Sequence, residues 1–210
     1  MAKVLEKVER RLGERLFLKG DRCASPKCAL VRRSYPPGPH GTGRGRGRRR
    51  ESSEYGVLSR EKQKIRFLYG LDNKGVRSYS MKASQQEGIF ASRLFTLLER
   101  RLDNVLFRLG LADSRRSARQ LIVHGHVFVQ GKSMRSPSYQ VHKDDVISLK
   151  EATLASPLFA RAHLRLKNYT PPAWLILDKT KRTGSVVRLP EEGDFESTFD
   201  AAKIKEFYSR

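Results

Sequence analysis

Apolar residues along this chain recur at two spacings, and each spacing predicts a kind of element. Ile65, Leu68 and Tyr69 follow the i, i+3, i+4 rule of a helix. Ser59 reads as its N-cap and Gly70 lies just past its end. A second helix is predicted from about Gly75 to Gln86, with Gly88 after it. A third begins near Ala91, and its stripe of Leu94, Leu97, Leu98 and Leu102 runs on through Val105, Leu106 and Leu109 to Gly110. One long helix, or two meeting around Leu102-Asp103-Asn104, fits that stripe equally well. Ser114 and Gly125 then frame a helix of about ten residues, with Ala118, Leu121 and Ile122 as its buried stripe. Val127–Val129 and Asp144–Leu149 read as strands, with Gln130-Gly131 as a tight turn. A helix near Ala155–Lys167, paired strands Trp174–Leu177 and Gly184–Leu189, and a short helix Asp200–Tyr208 complete the chain. At the other end, Val4, Leu5 and Val8 can be buried by an N-terminal helix together with Leu12 and Leu16, which turns Glu6 and Glu9 outward. The fold class is α+β, and no repeat of solenoid length is visible.

Composition narrows the function. The chain has 210 residues, of which 38% are hydrophobic. That is enough for one large or two small domains with a core. Its formal net charge of +21 self-repels unless a polyanion neutralises it. No apolar run approaches the roughly 18 residues that span a bilayer. The opening MAKVLEKVERRLGERLF carries Glu6, Glu9 and Glu14 and has no signal-peptide core. Cys23 and Cys28 are too few for a secreted disulfide scaffold. These features predict a cytosolic nucleic-acid binder that uses no membrane.

The charge is graded. Residues 1–51 hold 15 Lys and Arg against 5 Asp and Glu, so the densest phosphate contacts are expected in the first quarter. The peak is Gly41–Arg50, GTGRGRGRRR, with no side chain able to build a core. It reads either as a flexible basic linker or as an arm, disordered alone, that orders on RNA. It is not a dinucleotide-binding loop, because no apolar strand precedes it and no helical pattern follows it. Arg115, Arg116 and Arg119 can share one face of the Ser114–Gly125 helix, either as a solvated face or as a phosphate-binding ridge.

The stretch ERRLDNVLFRLGLADSRRSARQLIVHGHVFVQGK, residues 99–132, resembles the small RNA-binding module named after bacterial small-subunit ribosomal protein four, the S-four domain. The segments LFLKGDRCASPKC, YPPGPHG, YGVLSREKQKIRFLYG, SYQVHKDD, WLILD and IKEFYS resemble the rest of that ribosomal family in the same order, so the likeness covers nearly the whole chain. It implies a helical N-terminal domain, residues 1–98, completed by a C-terminal tail, 161–210, with the S-four module, 99–160, inserted between them. It also implies a structural, non-enzymatic role: early, direct binding of 16S ribosomal RNA that nucleates the small subunit. Contact with ribosomal protein five, a place near the messenger RNA where it enters, and an influence on decoding accuracy follow from the same likeness; no homo-oligomer is expected. Carried over by position, the RNA face of the module falls on Arg115, Arg116, Arg119, Gln120 and His124, with His126 beside it. The N-terminal contact region falls on Tyr35, His40, Lys62, Lys64 and Arg66, with the arm arginines Arg44, Arg46, Arg48, Arg49 and Arg50 adding charge.

One departure concerns zinc. Many members of that family hold zinc with an upstream Cys-x-x-Cys and a following Cys-x4-Cys. Here Cys23 and Cys28 keep the second spacing, but the upstream positions are Glu6 and Glu9. Closed structural zinc sites are overwhelmingly Cys/His, so a Cys₂Glu₂ site, or one completed by His40, is a poor centre and no cofactor is expected. The two thiols are expected to pack as small apolar groups, since the cytosol disfavours a disulfide.

Two rival functions remain on sequence. S-four modules also occur in RNA-modifying enzymes, and Arg101-Leu-Asp103 mimics the string around the catalytic aspartate of some pseudouridine synthases. Those enzymes put the module ahead of the catalytic domain, whereas Asp103 stands at the start of the module and reads as a capping or helix-junction residue. A stand-alone RNA-binding regulator on the same fold is the other.

Overall fold

The structure, a computed structural model, describes residues 5–38, 53–154, 166, 169–194 and 199–209. Its helices, in chain order, are α1 (Leu5–Leu12), α2 (Asp21–Ala24), α3 (Ala29–Arg32), α4 (Glu54–Leu68), α5 (Asn73–Gln85), α6 (Phe90–Glu99), α7 (Leu102–Arg108), α8 (Arg115–Val123), α9 (Glu151–Leu154) and α10 (Ala201–Ser209). The strands are β1 (Val127–Val129), β2 (Lys132–Met134), β3 (Val146–Leu149), β4 (Leu175–Asp178) and β5 (Thr183–Val186). The helix expected near Ala155–Lys167 falls almost wholly outside the described residues. Among the described residues no helix is long and apolar enough to cross a membrane.

The chain divides into two compact units, residues 1–85 with 197–210 and residues 86–196. In the first, α4 begins at Glu54, not at the expected Ser59. Ser53 caps it, its hydroxyl accepting from the Gly56 N–H at 3.2 Å. The extra turns exist because Leu58 is buried and Tyr55 meets Phe207 of α10, ring centroids 5.6 Å apart. Ile204 of α10 is fully buried, and the Asp200 N–H donates to Glu61 Oε2 at 3.0 Å, so the C-terminal segment closes this unit. α1 half-buries Leu5, Val8 and Leu12, and Leu16 is buried after it, as their spacing predicts. Glu9 departs from its expected outward place: it is only 2% exposed.

The second unit is larger than the expected 99–160 module. The strand pair β4–β5, expected to belong to the C-terminal tail, joins the module's sheet. Val146 and Ile147 of β3 face Ser185 and Gly184 of β5, giving one antiparallel five-stranded sheet in the order β2-β1-β3-β5-β4. Trp174, Leu175 and Val186 are thereby buried with Leu106 and Ile147 in one core. Gly184 is small for a reason: a Cβ there would collide with the buried Leu109 side chain. The β1–β2 hairpin turns on Gln130 and Gly131, both at positive φ, 49° and 74°. That two-residue geometry suits right-twisted strands.

Of the two alternatives for the long apolar stripe, two helices form. Arg101 is extended, with ψ 134°, and the N–H groups of Leu102 and Asp103 leave the helical ladder to donate to the carbonyls of Tyr139 and Pro137. Asp103 sits at the junction, held by Arg101 through Nε–Oδ1 at 3.0 Å and Nη2–Oδ2 at 2.7 Å. The corner is completed by Glu99. Its carboxylate accepts from Arg108 Nε and Asn104 Nδ2, each at 3.0 Å, and Asn104 Oδ1 accepts from Arg115 Nε at 2.7 Å. One buried network thus joins α6, α7 and α8.

Burial alone raises the Glu99 pKa, but the charges of Arg108 and Arg115 outweigh it and hold the carboxyl below its usual range. A depressed folded value contributes stability above the unfolded value, about 4.3, and that contribution is lost as pH falls through the folded value. Glu99→Gln should therefore cost about 3 kcal/mol near neutrality. The gap between variant and parent should close progressively below about pH 4.3. Denaturant titration followed by the single tryptophan, Trp174, reports on this unit. A gap that stays constant well below that pH would contradict the assignment.

Candidate nucleic-acid interface

A cationic surface of the second unit is built on α8. Ser114 and Ser117 make a reciprocal capping box. The Ser114 hydroxyl accepts from the Ser117 N–H at 3.2 Å, and the Ser117 hydroxyl accepts from the Ser114 N–H at 3.0 Å. Gly125, at φ 73°, ends the helix in the left-handed conformation, where the absence of a Cβ removes the strain. Ala118 and Ile122 are buried against the core, so the opposite face is outward. Arg116, Arg119, Gln120 and His124 are all exposed on it, and His126 is half-buried beside it. The His124 and His126 rings lie parallel, 5° apart in plane with centroids at 6.1 Å.

Arg115 does not join this ridge. It is half-buried, tied to Asn104, and its guanidinium lies over the Phe107 ring at 4.6 Å. Helical spacing alone places three arginines together; the packing of α7 against the start of α8 takes one of them inward. Arg135 is a cation that local reading misses. It follows β2, and its Nε comes 3.1 Å from where a Gly125 Cβ would stand, beside the carboxyl end of α8. A cation there complements the negative end of the helix. Nothing near Arg135 in sequence signals this; the β1–β2 pairing delivers it.

The N-terminal triplet also divides. Lys62 lies over the Phe207 ring at 4.2 Å, and Arg66 lies over Phe67 at 4.6 Å. Lys64 is buried, 7% exposed, and its Nζ is 2.7 Å from both Glu14 Oε1 and Glu61 Oε1. That pairing raises its pKa against the opposing effect of burial, so it is a structural cation and not one open to phosphate. Tyr35 is exposed, with Arg10 over its ring at 4.9 Å and Arg10 Nε donating to its carbonyl at 3.1 Å. His40, Arg44, Arg46, Arg48, Arg49 and Arg50, and the expected disorder of Gly41–Arg50, lie outside the described residues.

Cys23 and Cys28 are both buried free thiols. Glu9 stands beside them, its Oε2 3.7 Å from Cys23 Sγ. Its Oε1, however, accepts from the Leu16 and Leu18 N–H groups at 3.1 and 3.2 Å. Glu6 is held elsewhere, by Lys19 Nζ and Arg22 Nε, each at 3.0 Å. Burial, reinforced by the charges of Glu9 and Cys28, pushes the Cys23 thiol up. Of the four positions compared with the zinc-holding relatives, Cys23 and Cys28 are thiols, Glu9 anchors the Leu16–Leu18 loop and Glu6 is in a surface ion pair. Among the described residues no group of three or more His, Cys, Asp or Glu is arranged to hold a metal.

Residues 5–99 match the family model described as the ribosomal protein S4/S9 N-terminal domain, and residues 100–147 match that of the S4 domain. The small ribosomal subunit protein uS4 of Syntrophomonas wolfei is 46% identical over 201 residues, 96% of this chain and 94% of that protein. Those of Desulfitobacterium hafniense (strain DSM 10664 / DCB-2) and Halothermothrix orenii are 47% and 44% identical, with the same shares covered.

The three arginines of α8 should separate in a salt titration. Arg116→Ala with Arg119→Ala should weaken RNA binding and lower the slope of log K against log salt by up to about two units, with the melting temperature nearly unchanged. Arg115→Ala should instead lower the melting temperature. Equal effects of both variants on slope and on melting would refute the division.

Proposed function

Because the chain belongs to the small ribosomal subunit protein uS4 family, we propose that it is a structural constituent of the small subunit that binds 16S ribosomal RNA directly and early in assembly. The family is not an enzyme family, and Asp103 is buried in an ion pair with Arg101, which removes it as a catalytic carboxylate. The observation that carries the reading is the outward face of α8. Arg116, Arg119 and Gln120 stand exposed on a rigid, capped helix whose other face is locked into the core. Charged groups on such a face position a phosphate backbone, and RNA shape and unstacked bases supply the selectivity. In this reading the protein works in the cytoplasm as part of the subunit, touches ribosomal protein five, lies near the messenger RNA where it enters and contributes to decoding accuracy.

A lysate fractionated on a sucrose gradient tests this. The chain should sediment with small subunits at one copy each, and the purified chain should bind 16S RNA with a steep salt dependence. A chain found only in the free protein fractions would favour the stand-alone regulator.

The same reading includes a knuckle that holds without zinc. Glu9 binds the Leu16–Leu18 loop through backbone N–H groups, so folding there does not wait on a metal. Elemental analysis of the purified chain should find well under one zinc per molecule, and chelator should leave its helical circular dichroism unchanged. One zinc per chain, removable with loss of helix, would contradict it.

A further inference from the structure

Three cations of the first unit converge away from any carboxylate that the contacts above provide. Lys7 and Arg11 are one turn apart on α1, and among the described residues neither meets a carboxylate. Arg66 of α4 donates to Asn73 Oδ1 at 3.2 Å, a neutral partner, and its guanidinium stacks on Phe67. All three line one cavity of about 460 Å³ between α1 and α4. Val8, Leu12 and Phe67 form its apolar walls, and the Gln63 amide stands among them. The volume lies within the roughly 300–1,000 Å³ of ordinary small-ligand sites.

We propose that this cavity takes one unstacked nucleotide of RNA, its base against the apolar walls and the Arg66–Phe67 stack, its phosphate held by Lys7 and Arg11. This rests on the RNA-binding reading and adds a pocket distinct from the α8 face. The chemistry asks for both halves of a nucleotide. An isolated phosphate would satisfy the cations and leave the apolar walls wet. An acidic peptide side chain would do the same, because a short carboxylate cannot cover them. Bases pulled from a stack are held in this way, on aromatic rings or guanidinium planes with a polar group at the edge. The Gln63 amide can donate to and accept from a base edge, which gives the site a means of preferring one base.

The experiment uses the full chain with 16S RNA, reading affinity, salt slope and base reactivity to chemical probes. Val8→Trp fills the cavity without changing charge. It should weaken binding about tenfold, the equivalent of one lost stacking contact, with the salt slope unchanged. Lys7→Ala with Arg11→Ala should weaken binding and lower the slope by up to about two units. In both variants the same single nucleotide, protected in the parent complex, should become reactive. Gln63→Ala, which leaves charge unchanged and adds no bulk to the cavity, should expose that nucleotide too and guards against misfolding of the tryptophan variant. Circular dichroism checks the fold of each. Parent-like affinity and reactivity in all three would overturn the pocket, as would a loss of affinity with no nucleotide-specific change. Loss of a neighbouring protein from reconstituted subunits, with RNA binding intact, would overturn it in favour of an acidic protein segment. Failure of the parent chain to bind 16S RNA would instead sink the reading on which the pocket rests, whereas Arg116→Ala with Arg119→Ala still weakening binding would leave that reading standing.

Discussion

The buried carboxylate of Glu99 is the constraint on which the second unit depends. It is only 1% exposed, and a charge so placed is tolerated only if its lone pairs are taken by donors and its charge by cations. Here the donors come from α7, through Asn104 and Arg108, and Asn104 hands the connection to Arg115 at the start of α8. The corner between α6 and α7 is therefore set by hydrogen-bond geometry as well as by apolar packing. The direction in which α8 presents its outer face follows from that corner. Without it, Ala118 and Ile122 would still seek the core, but nothing polar would fix the angle at which the helix arrives.

What could be read from sequence was what local physics decides. The α8 cap, its terminal glycine, its buried stripe and the β1–β2 turn all rest on residues within a few positions of each other, and each formed as its pattern predicts. The misplaced start of α4 has a local cause as well. Gly56 in the first turn weakens the helical signal there, and the packing that holds the turn comes from Phe207, at the far end of the chain. The misplaced strand pair is wholly non-local. Trp174–Leu177 and Gly184–Leu189 read as a strand pair, and β4 and β5 form there with β5 ending at Val186, yet nothing in them says that β3 is their neighbour. The missing methyl of Gly184, which lets β5 lie on Leu109, becomes meaningful only once the sheet is built.

The site residues divide in the same way. Periodicity says which side chains share a face, but not where along that face another element covers them. Arg115 and Arg119 are one turn apart on α8, and only the first lies under the reach of Asn104 and Phe107. Sequence groups Lys64 with Lys62 and Arg66, but Glu61, one turn back, and Glu14, from before the helix, draw it in. Glu9 departs the same way, a carboxylate expected in solvent that is buried. Its neighbours in space are the backbone of Leu16 and Leu18 and the thiol of Cys23, a loop whose return to α1 no periodic pattern announces.

The net charge of +21 is consequently not a uniform field. Some of the 43 lysines and arginines are paired within the fold: Arg101 with Asp103, Arg108 with Glu99, Lys64 with Glu14 and Glu61, and Arg188 with Asp194. These pairs are buried or partly buried and respond weakly to salt, because counterions cannot approach them. Among the described residues, cations such as Arg116 on α8 and Lys7 and Arg11 on α1 stand exposed instead. Charge exposed in this way is open to screening by salt, unlike the buried pairs.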